Sequence, residues 1–217
     1  MEYNGIIGKS GLQFFGKISA SISHEIKNAL AIINENAGLL EDFVLMAEQG
    51  LPLDPERIKT LSSKIMKQIQ RADTIIKNMN QFAHSIDADE KNIDINMILE
   101  LIIALSARAA SMKGVTLVFL PASRSLSIET NPFFLLNLMH SLIITSLDHL
   151  GGNKQLTISS RSFLDCGCIE LCGIERLESE SLLNHPERTA IASLIQANVV
   201  ANIQNHKIEI YLPCKPA

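Results

Sequence analysis

Apolar residues recur at Ile18, Ile22, Ile26, Ala29, Ile33, Ala37, Leu40 and Val44, in alternating steps of three and four. That is the period of a helix with one buried stripe. The spacing predicts a first long helix from Phe14 to about Gln49, with Gly50 as its C-terminal cap. Residues 1 to 12 hold Gly5, Gly8 and Gly11 and are expected to form a mobile lead-in. Pro52 and Pro55 prevent the helix from continuing, and Asp54, Pro55 and Glu56 open a second one. Its stripe is Ile58, Leu61, Ile65, Gln68 or Ile69, Ala72, Ile76, Met79 and Ala83. Two such helices joined by a short turn predict an antiparallel hairpin. A lone hairpin cannot bury both stripes, so a homodimeric four-helix bundle is expected.

Ser85 to Asn92 is polar and marks the expected boundary between domains 1–86 and 92–217. Beyond it the pattern alternates. Strands are expected at 93–95, 115–120, 125–129, 155–163, 168–172 and 207–212, and helices at 96–113, 131–149 and 186–204. The fold class is α+β: a long helical hairpin followed by a small α/β sandwich, its mixed sheet covered on one face by helices.

Composition narrows the function. The 217 residues carry a net charge of −4 without a basic block, so neither nucleic acid nor an anionic membrane is an expected partner. The amino terminus lacks a secretory layout, and no run of eighteen uninterrupted apolar residues occurs. A cytoplasmic protein is expected. Cys166, Cys168, Cys172 and Cys214 do not follow a standard zinc spacing and are expected as small apolar residues on strands, with no metal.

The candidate chemistry lies on the first helix, in Ser23-His24-Glu25-Ile26-Lys27-Asn28-Ala29-Leu30. At about 100° per residue, His24 lies roughly 200° from Ile22 and points away from the stripe, with Asn28 one turn further on the same side. An imidazole in water is partly neutral near pH 7, so one ring nitrogen can act as a nucleophile. Glu25 can hold the proton on the other nitrogen. Asn28 can bind a water or a phosphoryl oxygen without being a base. His84, at the end of the second helix, has none of these surroundings and reads as a helix-end histidine.

The order His-Glu-x-x-Asn resembles the H-box of two-component sensor histidine kinases and of the related histidine phosphotransferases, with Ala29 where the family has proline. The resemblance implies that His24 accepts a phosphoryl group, that Glu25 orients it, and that Asn28 positions water for phosphatase action. It also implies a Bergerat-type ATP-binding domain in the second half. There the family's Asn-Leu-x-x-Asn-Ala helix is set against Ser141-Leu142-Ile143-Ile144-Thr145-Ser146, with Thr145 in place of the Mg²⁺-binding Asn. Asn137 is expected out of register on the helix surface, and Asp148 with His149 as a surface pair.

The family's Asp-x-Gly-x-Gly box corresponds to Cys172-Gly173-Ile174-Glu175-Arg176, which lacks the Asp and keeps one glycine. No glycine follows Gly173, and Glu175, Glu178 and Glu180 bring negative charge to where phosphates would lie.

The resemblance is to a degenerate kinase of the ChpT type, a histidine phosphotransferase working through His24 between response-regulator receiver domains. No cofactor is expected, any Mg²⁺ coming with the receiver. Ser21, Lys27, Ala31 and Glu35 are the expected receiver-binding residues around His24. The rival readings are a phosphatase or sequestering pseudokinase for a response regulator, and an ATP-dependent sensor kinase.

Overall fold

The computed structural model describes residues 2–123, 126–163, 166–176 and 183–213. It divides into two compact units, one of residues 17–80 and one of residues 1–16 with 81–217.

The 17–80 unit is the predicted hairpin. Helix α1 (Glu2–Glu48) ends where Gly50, at φ +82°, lets its N–H reach the Ala47 carbonyl and the Leu51 N–H reach that of Met46. Helix α2 (Pro55–Ala83) begins at Asp54, whose Oδ1 accepts from the Glu56 and Arg57 N–H groups at 3.0 and 3.4 Å.

The buried seam of α1 runs through Ile18, Ile22, Ala29 and Asn36, and that of α2 passes through Leu61 with Ile65, Gln68, Ala72 and Ile75 half-buried. One feature of the predicted stripes is thereby corrected and one open alternative is decided. Ala37, Val44, Ile69, Ile76 and Met79 are exposed, and Gln68 rather than Ile69 turns inward. Met79 lies in line with Leu61 near the end of α2, and the other exposed residues belong to a second stripe. Measured from Ala29, Leu30, Ala37 and Val44 lie about 60–100° round α1; measured from Leu61, Met66, Ile69 and Ile76 lie about 60–140° round α2 in the same sense. On helices that face each other and run antiparallel, equal rotation leads to the same side, so these residues share one apolar face of the hairpin.

The other unit is α/β. In chain order it contains β1 (Lys91–Asp94), α3 (Ile95–Met112), β2 (Thr116–Leu120), β3 (Ser127–Thr130), α4 (Pro132–Ser146), β4 (Gln155–Phe163), β5 (Cys166–Cys172), α5 (Pro186–Leu194), β6 (Asn198–Asn202) and β7 (Lys207–Pro213). A mixed sheet runs β2-β4-β5-β7-β6, with β2 parallel to β4 and the other pairs antiparallel. A two-stranded sheet joins β1 to β3. Asp94 and Asn131 cap α3 and α4 by accepting from Asn96 N–H and Phe134 N–H. Helix α3 is long and apolar enough to cross a membrane by composition; it packs on α4, β2 and β4.

The expected helix 186–204 stops at Leu194. Gln196 takes a left-handed φ of +54°, and Asn198–Asn202 becomes a strand beside β7, where Val199 and Val200 suit a pleated surface. The lead-in is also corrected, because residues 2–13 continue α1. Ser10, Gly11 and Phe14 are buried. A Cβ on Gly11 would come within 3.3 Å of the Phe133 ring, and Phe14 meets Phe82, Phe133 and His140 at centroid distances of 5.3, 5.5 and 5.2 Å. This cluster joins the start of α1 to α4 inside the α/β unit.

Opposite the helices, the sheet carries an ion-pair network. Lys207 Nζ lies 2.8 Å from Glu170 and 2.9 Å from Glu209, and Arg161 bridges the same carboxylates at 2.9 and 3.1 Å. Burial pushes the Glu209 carboxyl up, but hydrogen bonds from Lys207 and Asn202 outweigh it and hold the group at about 2. Glu170 and then Glu209 hold the Lys207 ammonium above its usual range. Cys168 lies beside them, its ligand atom within 4.8 Å of theirs, and burial pushes its thiol up to about 11. Cys168 is buried on a strand as expected, but beside charged groups and not in an apolar setting; Cys214 and the Cys166 side chain lie outside the described residues.

Phe14→Ala is expected to lower stability by about 3–5 kcal/mol, as for other buried aromatic truncations, measured by urea denaturation. A depressed carboxylate pKa stabilises the fold above its unfolded value, and that stability is lost as pH falls through the folded value. Glu209→Gln should therefore cost about 1–3 kcal/mol at pH 7, with the difference from wild type closing between pH 4.5 and 2 in denaturation series.

Candidate functional site

The seam decides which residues of the hairpin reach the surface. Measured from buried Ala29, Ser21, His24, Asn28, Ala31 and Glu35 lie about 80–160° round α1, in the sense opposite to Leu30 and Val44. His24, Asn28, Ala31, Glu35 and Lys27 are exposed; Ser21 and Glu25 are half-buried. The imidazole and the apolar face are therefore on opposite sides of the hairpin, and Asn28 sits about 6 Å further along the axis than His24.

Glu25 points closer to the seam, and its Oε2 lies 3.7 Å from Arg71 Nη2 on α2. Measured from Leu61, Lys64, Lys67 and Arg71 lie about 60–120° round α2, in the sense that brings them to the His24 side. All three are exposed. This basic strip was missed at the level of sequence. Its signal was the spacing of three bases at i, i+3 and i+7, which puts them on one helical face. His84 lies apart from this group, with its Nδ1 2.8 Å from Asp87.

In the α/β unit, the positions that the H-box resemblance would assign to nucleotide have other partners. Thr145 donates its hydroxyl to the Ser141 carbonyl at 2.9 Å, and the Thr145 carbonyl lies 2.9 Å from His149 Nδ1. Asp148 pairs with Lys113. Asn137 is buried, not on the helix surface as expected, and its amide donates to Ser10 Oγ at 3.4 Å. Its burial follows from the helical lead-in, which supplies Ser10.

Read from Asn137, the Asn-Leu-x-x-Asn-Ala pattern becomes Asn137-Leu138-Met139-His140-Ser141-Leu142. In either register a hydroxyl residue, Ser141 or Thr145, stands where the pattern has an amide ligand. Gly173 takes φ +101° and a Cβ there would lie 2.5 Å from the Gln155 carbonyl oxygen, so the position requires glycine, and the Glu175 carboxylate lies over Gly151. The Arg176 N–H donates to the His149 carbonyl at 3.0 Å. A carboxylate over a backbone glycine repels phosphate, so these residues do not fit Mg-ATP. Glu178 and Glu180 lie outside the described residues.

Residues 16–86 match the family model of the His Kinase A (phospho-acceptor) domain. No curated protein matches the chain. Among solved structures, the catalytic domain of histidine kinase ThkA is similar at 12% identity over 60% of this chain and 100% of that one, with a TM-score of 0.50. Histidine kinase AdeS from Acinetobacter baumannii is 12% identical over 89% of this chain and 98% of its own, with a TM-score of 0.48. ThkA in complex with the response regulator protein TrrA is 17% identical over 94% and 63%, with a TM-score of 0.48.

The chain thus carries a hairpin that matches the phospho-acceptor domain model, followed by an α/β module with the fold of a histidine-kinase catalytic domain.

Proposed function

We propose that this chain is a histidine phosphotransferase of the ChpT type, which relays phosphoryl groups between response-regulator receiver domains through His24 and does not use ATP. The carrying observation is the contrast between the two units. An exposed histidine stands in a segment matching the phospho-acceptor family, while Thr145 or Ser141 stands where the nucleotide-binding pattern has an amide and the Glu175 carboxylate lies over Gly151.

Transfer between receivers requires a nucleophile that a second protein can reach. In the step proposed, the lone pair of one imidazole nitrogen attacks phosphorus, the N–P bond forms, and the receiver's aspartate carboxylate leaves as its P–O bond breaks. Glu25, the next residue along the helix, would accept from the remaining ring N–H. Ser21, Lys27, Ala31 and Glu35 would bind the receiver, which brings its own Mg²⁺. Exposed Asn28 favours a second reading within the same site, water-dependent dephosphorylation of a receiver.

The apolar face containing Leu30, Val44, Met66, Ile69 and Ile76 supports a homodimer, because a second hairpin laid against it would complete a four-helix bundle. We place the protein in the cytoplasm, where receivers are found.

Incubation with phosphorylated receivers should give wild-type protein an acid-labile, base-stable phosphate and leave His24→Ala without one. Equal labelling of the two would contradict the proposal. In thermal denaturation, Mg-ATP should leave the midpoint unchanged, whereas ligand at 100 times its Kd would add about 2.7 kcal/mol. A clear upward shift would favour the ATP-dependent kinase instead.

A further inference from the structure

The proposed phosphotransfer leaves one charged group on the His24 face without a function. Arg71 reaches across from α2 to Glu25, the residue next to His24, and its side chain is still about half exposed. Lys67 and Lys64 extend the same basic strip, and neither has an ion-pair partner among the described residues. At 3.7 Å with both partners reaching solvent, the Arg71–Glu25 pair contributes little to stability. Such a pair is easily exchanged.

We infer that Arg71 is a phosphoryl-binding residue: it leaves Glu25 to clasp the phosphoryl group as that group is transferred to or from His24. This rests on the reading of His24 as the acceptor.

The charges explain the exchange. A phosphoryl group on the imidazole brings about two negative charges to a face where Glu25 and Glu35 are already acidic. A guanidinium presents paired N–H donors that match phosphoryl oxygens, and binds a dianion more strongly than a single exposed carboxylate. As the N–P bond forms, the ring nitrogen loses its lone pair to phosphorus and the imidazole becomes cationic, with its other N–H intact. Glu25, released by Arg71, then faces that N–H and balances its charge. On the return step the P–N bond breaks, the imidazole is neutral again, and Arg71 recovers Glu25. Lys67, one turn away, adds to the field without direct contact.

The test uses the full-length chain with phosphoramidate, a small donor whose P–N bond breaks with release of ammonia as His24 is phosphorylated. Wild type should gain phosphohistidine, detected by ³¹P NMR. Arg71→Ala should do so at least tenfold more slowly, Arg71→Lys should recover most of the rate, and both variants should keep wild-type helicity by circular dichroism. The ³¹P resonance of the phosphohistidine should also differ between wild type and Arg71→Lys, since the group contacting phosphorus has changed.

An Arg71→Ala rate within twofold of a labelled wild type would overturn the inference. So would a fully folded Arg71→Lys no faster than Arg71→Ala. Wild type that acquires no phosphate, like His24→Ala, would overturn the acceptor reading and this inference together.

Discussion

Everything assigned to the hairpin depends on burial of an apolar seam between two antiparallel helices. That burial fixes the rotation of each helix about its axis, and rotation decides which residues meet solvent. With Ala29 and Leu61 inward, His24 and Asn28 have one side of the pair and Leu30 and Ile69 the other. A shift of one residue in the seam would turn each helix by about 100° and carry the imidazole toward the apolar face. The chemistry is thus positioned by packing, since the polar contact described at the site is the loose Glu25–Arg71 ion pair at 3.7 Å.

The α/β unit illustrates a scaffold persisting where the residues of one function do not. Leu135, Leu138, Met139, Leu142 and Ile143 on α4 are fully buried and pack the core, so they are held by volume. Thr145, at the end of that helix, satisfies its hydroxyl within its own turn. A hydroxyl satisfied in this way makes no demand on the surrounding fold. Gly173, in contrast, is constrained by the Gln155 carbonyl and would be retained whether or not a phosphate ever lay near it.

Much of the architecture was legible in the residues. Stripe spacing, Gly50, Asp54 and Asn131 located three helix ends through local physics that tertiary packing does not override. What failed was non-local. The helical state of residues 2–13 depends on Gly11 and Phe14 meeting Phe133, a contact across more than a hundred residues, and glycines there looked like a loop. The strand at Asn198–Asn202 depends on pairing with β7. In the candidate site, His24, Glu25 and Asn28 came from motif order within one helix. The approach of Arg71 to Glu25 depends on how the two helices face each other, so it became visible only in three dimensions.

The central claim is that His24, and no other histidine, carries phosphate in this chain. Peptide-level mass spectrometry of protein phosphorylated without nucleotide, handled at alkaline pH to preserve phosphohistidine, tests it most directly. The account predicts modification confined to the peptide containing Ser21 to Ala31. Phosphate found instead on His84, His140 or His149 would contradict it.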